Sequence, residues 1–188
     1  EIDTVGGEAL ALKLAKQAGI EVPGWRIQTV GKRRVLVLRR FDRDGANRIC
    51  FISAMSMLGA LDNETHSYME IADALRQFGA ERIVDTQELW RRILFNVLIS
   101  NTDDHLRNHG FLYSGPRGWR LSPAYDLNPV PAEIRPRILS TTIDEADGTC
   151  SLELALSVAE YFDVTAKNAK ATINKFAKVV SNWRHEAT

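Results

Sequence analysis

Cysteine is nearly absent. Cys50 and Cys150 are the only two in 188 residues, far apart and without the CxxC spacing of zinc or redox motifs, so a disulfide framework is not expected and both read as reduced thiols of a cytosolic protein. An excess of charge is missing too: 24 Lys plus Arg balance 24 Asp plus Glu. No global field therefore draws in nucleic acid or an anionic membrane, and any bound phosphate must be held by a local site. No run approaches the roughly 20 apolar residues that cross a bilayer. The opening EIDTVGGEAL lacks the basic-then-apolar order of a signal peptide. The expected address is the cytoplasm, with no membrane partner and no direct nucleic-acid contact. The chain does not start with Met, and a helix is predicted a few residues in, so it is expected to begin inside a larger gene product.

What is present suffices for one domain: 188 residues, 45% hydrophobic, can bury a core without disulfides or structural metal. GGEALALKLAKQAGI places Leu10, Ala11, Leu14 and Ala15 on one helical face and ends at Gly19, where a left-handed cap is expected, giving a helix over about 5–18. WRIQTVGKRRVLVLRRF reads as a hairpin around Gly31-Lys32 with its second strand buried, and RDGANR as a turn. Helices are predicted over 53–60 and 66–78. From Thr86, a potential N-cap, to about Ser100, the residues Leu89, Ile93, Phe95, Val97 and Leu98 recur at helical intervals and predict the central helix. Residues 109–122 read as a second hairpin turning at Gly115-Pro116-Arg117-Gly118, followed by a polar, proline-containing loop to about 149. Helices over 151–162 and 165–183, the second capped by Thr165, close the chain. The fold class is α+β, mostly α. Trp25, Trp90 and Trp119 fall in predicted strands or helices and are expected to pack rather than stack on ligands.

Directly after the most apolar helix comes NTDDHLRN, residues 101–108. A solvated, turn-forming loop is the commoner fate of so polar a stretch. The five-residue step from Asp103 to Asn108 points elsewhere, because it matches the catalytic Asp and metal-binding Asn of the protein-kinase pattern HRDxxxxN. One carboxylate accepts a hydroxyl proton while an amide oxygen nearby holds Mg²⁺ against phosphate. SPAYDLNP then supplies Asp126, a second hard oxygen donor of the kind Mg²⁺ prefers. His105 and Arg107 lie between base and metal ligand. For His105, phosphate contact and a backbone hydrogen bond are equally consistent, whereas zinc ligation lacks a second His or Cys at metal spacing.

ISNTDDHLRNHGF followed by WRLSPAYDL resembles the catalytic loop and metal-binding segment of HipA-like bacterial serine/threonine protein kinases, toxins of type II toxin–antitoxin systems. ALKLAKQAGIEVP and VLVLRRFDR are similar to that family's first C-proximal helix and the strand entering its interlobe hinge. The resemblance covers nearly the whole chain. It implies that residues 1–188 form a protein-kinase-like C-lobe, with a short β-hairpin leading into the hinge and a second at the active site. It implies ATP and Mg²⁺ as cofactors, a protein substrate bearing a Ser or Thr hydroxyl, and a DNA-binding antitoxin as partner. Arg39, Arg40 and Phe41 would contact adenine, chiefly through backbone groups and the Phe41 ring. Asp103 would be the base, and Asn108 and Asp126 would hold the metal. His105, Arg107, Asn108 and Tyr125 would line the phosphates, and Asp104 takes a position the family's motif leaves variable. The glycine-rich loop and strand lysine of such kinases are expected to precede this region, with Glu8 a candidate partner for that lysine. VGG at 5–7 is too short to be that loop. Two other readings stay open: a non-catalytic kinase lobe that binds a partner, and a small-molecule phosphotransferase, which shares the acid–amide spacing.

Overall fold

The structure, a computed structural model, describes residues 3–130 and 136–187. The part of the predicted polar loop at 131–135 lies outside these residues. Helix α1, Thr4–Ala18, is capped by the Asp3 side chain, which accepts from the Gly6 amide, and stops at Gly19 in the left-handed region, φ 87°. A Cβ there would press on the cationic ends of Arg91 and Lys175, so glycine serves both the turn and the close approach. Strands β1, Trp25–Val30, and β2, Arg33–Leu38, pair antiparallel from Trp25 opposite Leu38 to Val30 opposite Arg33. The apolar stretch of β2 is only half-buried. The two-stranded ribbon rests on α1 with β1 exposed from Arg26 to Val30 and β2 no more than half-buried, which corrects the expectation of a buried strand.

After the short strands β3, Arg43–Asp44, and β4, Asn47–Arg48, β5, Phe51–Ser53, leads into α2, Ala54–Leu58. Helix α3, Tyr68–Phe78, begins with a reciprocal capping box between Ser67 and Glu70. The central helix α4 runs Arg82–Ile99, one turn longer at its start than predicted. Thr86 is not its cap: the Thr86 hydroxyl donates back to the carbonyls of Arg82 and Ile83 inside the first turns. Leu89, Trp90, Ile93, Leu94, Phe95 and Val97 are buried on α4, which packs against α3, α5, Leu152–Ser157, and α6, Ala166–Ser181. Trp90 donates its indole N–H to the Ala155 carbonyl at 2.7 Å, and Phe95 meets Phe176 edge-on.

Strands β6, Gly110–Tyr113, and β7, Trp119–Leu121, pair with each other, and β5 joins β6 to give the order β5-β6-β7. The β7 end is fastened to the end of α3, where the Ala80 amide donates to Trp119 O. Gly118, φ 112°, passes so close to the Phe78 carbonyl that no side chain fits. A break at Asn182 separates α6 from α7, Trp183–Glu186, where a single helix to 183 was predicted. Cys50 and Cys150 are both unpaired. Among the described residues no helix is long and apolar enough to cross a membrane.

Candidate active site

Ser100 closes α4 in the left-handed conformation, φ 57°, and turns the chain sharply into residues 101–108. Asn101 is fully buried and ties the turn back to the helix, its amide N–H donating to Asn96 O and its side chain to Asn96 Oδ1. A 3-10 turn over Leu106–Asn108 then delivers the chain into β6. Within this loop the two adjacent acids have opposite environments. Asp103 is exposed, whereas Asp104 is 2% exposed. Asp104 Oδ2 accepts from Tyr68 Oη, from Asn96 Nδ2 at 2.7 Å and from His109 Nε2 at 2.8 Å, while its carbonyl accepts from the Thr141 amide and hydroxyl.

Burial pushes the Asp104 carboxyl up, but the nearby His109 charge and the bonds donated by His109 and Tyr68 outweigh it and hold the group below its ordinary value. Burial, then the Asp104 charge, pushes the Tyr68 hydroxyl well above its ordinary range, so it stays a neutral donor. Asn108, 6% exposed, donates Nδ2 to the Asp103 carbonyl at 3.4 Å. That leaves its oxygen as the end available to a cation. The five-residue spacing thus becomes a loop closed across its own ends.

The segment after β7 is set from below by Arg92 of α4, whose Nη2 donates to Ser122 O at 2.6 Å, and by the Ala124 amide, which donates to Glu21 O. Tyr125 donates its hydroxyl to Arg107 O at 2.7 Å, joining this segment to the 101–108 loop. Burial, followed by the charges of Asp104 and Asp126, lifts the Tyr125 hydroxyl to about 12. Asp126 has φ 59°, a strained value for a residue with a side chain, though one Asp tolerates better than most, and its Oδ1 accepts from Asn128. Glu8 of α1 lies within electrostatic reach of Asp126, since burial and then the Asp126 charge raise its carboxyl. A carboxylate such as Asp126 and an amide oxygen such as that of Asn108 are hard donors of the kind Mg²⁺ takes. Among the described residues no group of three or more His, Cys, Asp or Glu forms a ready metal cage; Mg²⁺ takes most of its shell from phosphate and water and needs only one or two protein carboxylates.

Five of the predicted cofactor-binding residues meet. Arg39, Arg40, Phe41, Arg107 and Tyr125, with Pro23, Leu38, Asp42 and Phe51, line a largely apolar cavity of about 350 Å³. Phe41 sits between Tyr125 and Phe51, ring centroids 5.5 and 6.0 Å apart. The Arg39 amide already donates to Gly24 O at 2.7 Å, and Arg40 is clamped by Asp42; of these three neighbouring residues Phe41 is the one that brings an aromatic ring to the cavity, beside those of Tyr125 and Phe51. His105 lines a second, polar cavity of about 290 Å³ with Asp62, Glu64, His66, Ser140 and Thr141. Its Nδ1 is buried without a partner. Arg107 belongs to both cavities and pairs with Asp62. Asp103, Asn108 and Asp126 line neither.

Sequence reasoning passed over Asp104, Tyr68, Asn96 and His109. The signal available was a polar series at helical spacing, Asp85, Glu88, Arg92 and Asn96, along the central helix.

The fold is kinase-like. It is shared over 98% of the chain with HipA from the Shewanella oneidensis MR-1 toxin–antitoxin complex of HipA, HipB and operator DNA, at TM-score 0.81 and 19% identity, covering 49% of that chain. The Helicobacter pylori proinflammatory kinase CtkA superposes at TM-score 0.64 and 13% identity, over 98% of this chain and 84% of the other. Residues 2–183 match the HipA-like C-terminal domain, and the chain belongs to that family. A Haemophilus influenzae protein named "Putative kinase" is 30% identical over 152 residues, 72% of this chain and 43% of its own length. The chain spans less than half the length of the curated relatives it matches.

Proposed function

We propose that this chain is the catalytic-loop-bearing domain of an ATP- and Mg²⁺-dependent protein kinase that phosphorylates Ser or Thr hydroxyls, with the glycine-rich loop and lysine supplied by another part of the protein. The observation that carries the reading is the contrast between neighbouring acids: Asp104 is buried and its Oδ2 accepts from Tyr68, Asn96 and His109, while Asp103 stands at the exposed surface of the same turn. A general base must reach its substrate's proton, and of the pair only Asp103 is exposed to do so.

In this scheme the Asp103 carboxylate takes the proton of the acceptor hydroxyl as that oxygen bonds to the γ-phosphorus and the bond to the β-phosphate oxygen breaks. Asn108 and Asp126 hold Mg²⁺, which when bound offsets charge on the phosphate oxygens. Phe41 and Tyr125 form the apolar wall for the base, and Arg107 stands at the junction of the nucleotide cavity and the polar cavity, where the acceptor segment would approach. Most of the rate enhancement then comes from positioning and charge neutralisation rather than covalent chemistry. The HipA neighbour was solved with HipB and operator DNA, and by analogy the partner proposed here is an antitoxin-type protein that itself contacts DNA, in the cytoplasm. Replacing Asp103 by Asn in the intact protein is expected to lower phosphoryl transfer by roughly 10²–10⁴-fold while Mg²⁺·ATP still binds in calorimetry. Transfer at the wild-type rate would remove Asp103 from the mechanism.

A further inference from the structure

Buried beneath the proposed base is a polar knot that no packing argument requires. Asp104 Oδ2 collects donors from three separate elements: Tyr68 at the first turn of α3, Asn96 near the end of α4, and His109 at the entry to β6. The backbone of the same residue is pinned by Thr141, and that of Thr102 by Ser140. Because a carboxylate only accepts, His109 donates from Nε2, while its Nδ1 is buried without a partner. Natural cores avoid such orphans, which are costly. The knot is present despite that cost, and it holds the residue that follows Asp103 on a loop whose far end is Asn108.

Resting on the kinase reading, we infer that Asp104 is a positioning residue, held by Tyr68, Asn96 and His109, that fixes where the Asp103 carboxylate and the Asn108 amide stand relative to one another. It touches neither substrate nor metal. Its donors span α3, α4 and β6, so the loop takes its geometry from the rigid core instead of from its own turn preferences. A displacement of about 1 Å at a reacting group can cost on the order of 10²-fold in rate, which sets the scale of what such a clamp protects.

The test uses the intact kinase. Asp104→Ala is the direct perturbation, but it leaves three donors unpaired in the core and puts folding itself at risk. Tyr68→Phe removes a single hydroxyl and keeps the ring. For Tyr68→Phe the expected result is a fall in kcat of roughly tenfold with KM and Kd for Mg²⁺·ATP within about twofold. Hydrogen–deuterium exchange should rise at amides 102–108 and stay unchanged in α4 and α6. In an Asp104→Ala background that still folds, Tyr68→Phe is expected to add no further loss. The inference is overturned if Tyr68→Phe leaves both kcat and loop exchange at wild-type values. It is equally overturned if kcat, nucleotide affinity and exchange throughout the core change together, as loss of an ordinary core contact would cause. An inactive wild type would sink the kinase reading, and the exchange of residues 102–108 would still decide whether Asp104 holds the loop.

Discussion

Arg120 on β7 carries two carboxylates of unequal burial, and the difference gives a sharp prediction. Its Nε and Nη2 form a bidentate pair with Asp85 at 2.8 and 3.0 Å, while its Nη1 meets Glu81 at 3.0 Å. The Asp85 side chain is 4% exposed and also accepts from the Leu121 amide; Glu81 is 41% exposed. Breaking a fully buried pair costs about 3–5 kcal/mol. Arg120 is 34% exposed and recovers part of its hydration when left alone. Asp85→Ala is therefore expected to cost about 3 kcal/mol, including the orphaned Leu121 amide. For a chain of this length that lowers Tm by roughly 6–12 °C. Glu81→Ala removes an exposed pair worth under about 1 kcal/mol. Urea and thermal unfolding of both variants measure the contrast. A loss below about 1 kcal/mol for Asp85→Ala, or equal losses for the two, would refute the argument that burial rather than charge pairing decides the value of these contacts.

Phe41→Ala is expected to weaken Mg²⁺·ATP binding roughly ten- to hundredfold, the usual value of one aromatic stacked on a base, with little change in Tm because Phe41 is half-buried at a cavity rim; calorimetry showing unchanged affinity would remove the aromatic cavity from the nucleotide site. Glu70, with Glu64, raises the His66 pKa against a smaller opposing effect of burial. A raised folded-state value means His66 contributes stability that is fully present below its unfolded pKa and is lost as pH rises through the folded one. An NMR titration should place His66 above the ordinary imidazole value, and Glu70→Gln should move it down; a midpoint at or below the ordinary value counts against the pairing.

Elements whose cause is local could be read from the chain. Gly19 ends α1 because only a left-handed residue closes that turn, and Thr165 caps α6 through its own hydroxyl. NTDDHLRN stood out because its residue types are dense and its spacing chemical. What escaped had causes distant in sequence. Strand β5 is three residues long and becomes a strand because β6, more than 50 positions later, pairs with it. Thr86 has a capping side chain, yet residues 82–85 extend the helix and turn that hydroxyl inward. Between Asp103 and Asp104 no local property differs: both are acids in the same turn. Only the positions of Tyr68, Asn96 and His109 make one a buried acceptor and leave the other at the surface.

That division is prepared along α4. Asp85, Glu88, Arg92 and Asn96 are spaced by three, four and four residues, so they form one stripe on a helix that is otherwise buried among apolar side chains. Asp85 fixes β7 through Arg120 and Leu121, Arg92 fixes Ser122 at the start of the segment that carries Asp126, and Asn96 fixes Asp104 beside the proposed base. Glu88 shares Arg92 from one turn below. Asp85, Arg92 and Asn96 are buried, with Glu88 half-buried beside them; burying polar groups on a core helix is unfavourable unless they are paired, and here the pairing runs to β7, to Ser122 and to the 101–108 loop. The helix thus serves as a ruler: its 1.5 Å rise per residue sets the separation between the segment that carries Asp126 and the 101–108 loop, so the proposed site, built from two loops, takes its dimensions from the central helix of the fold.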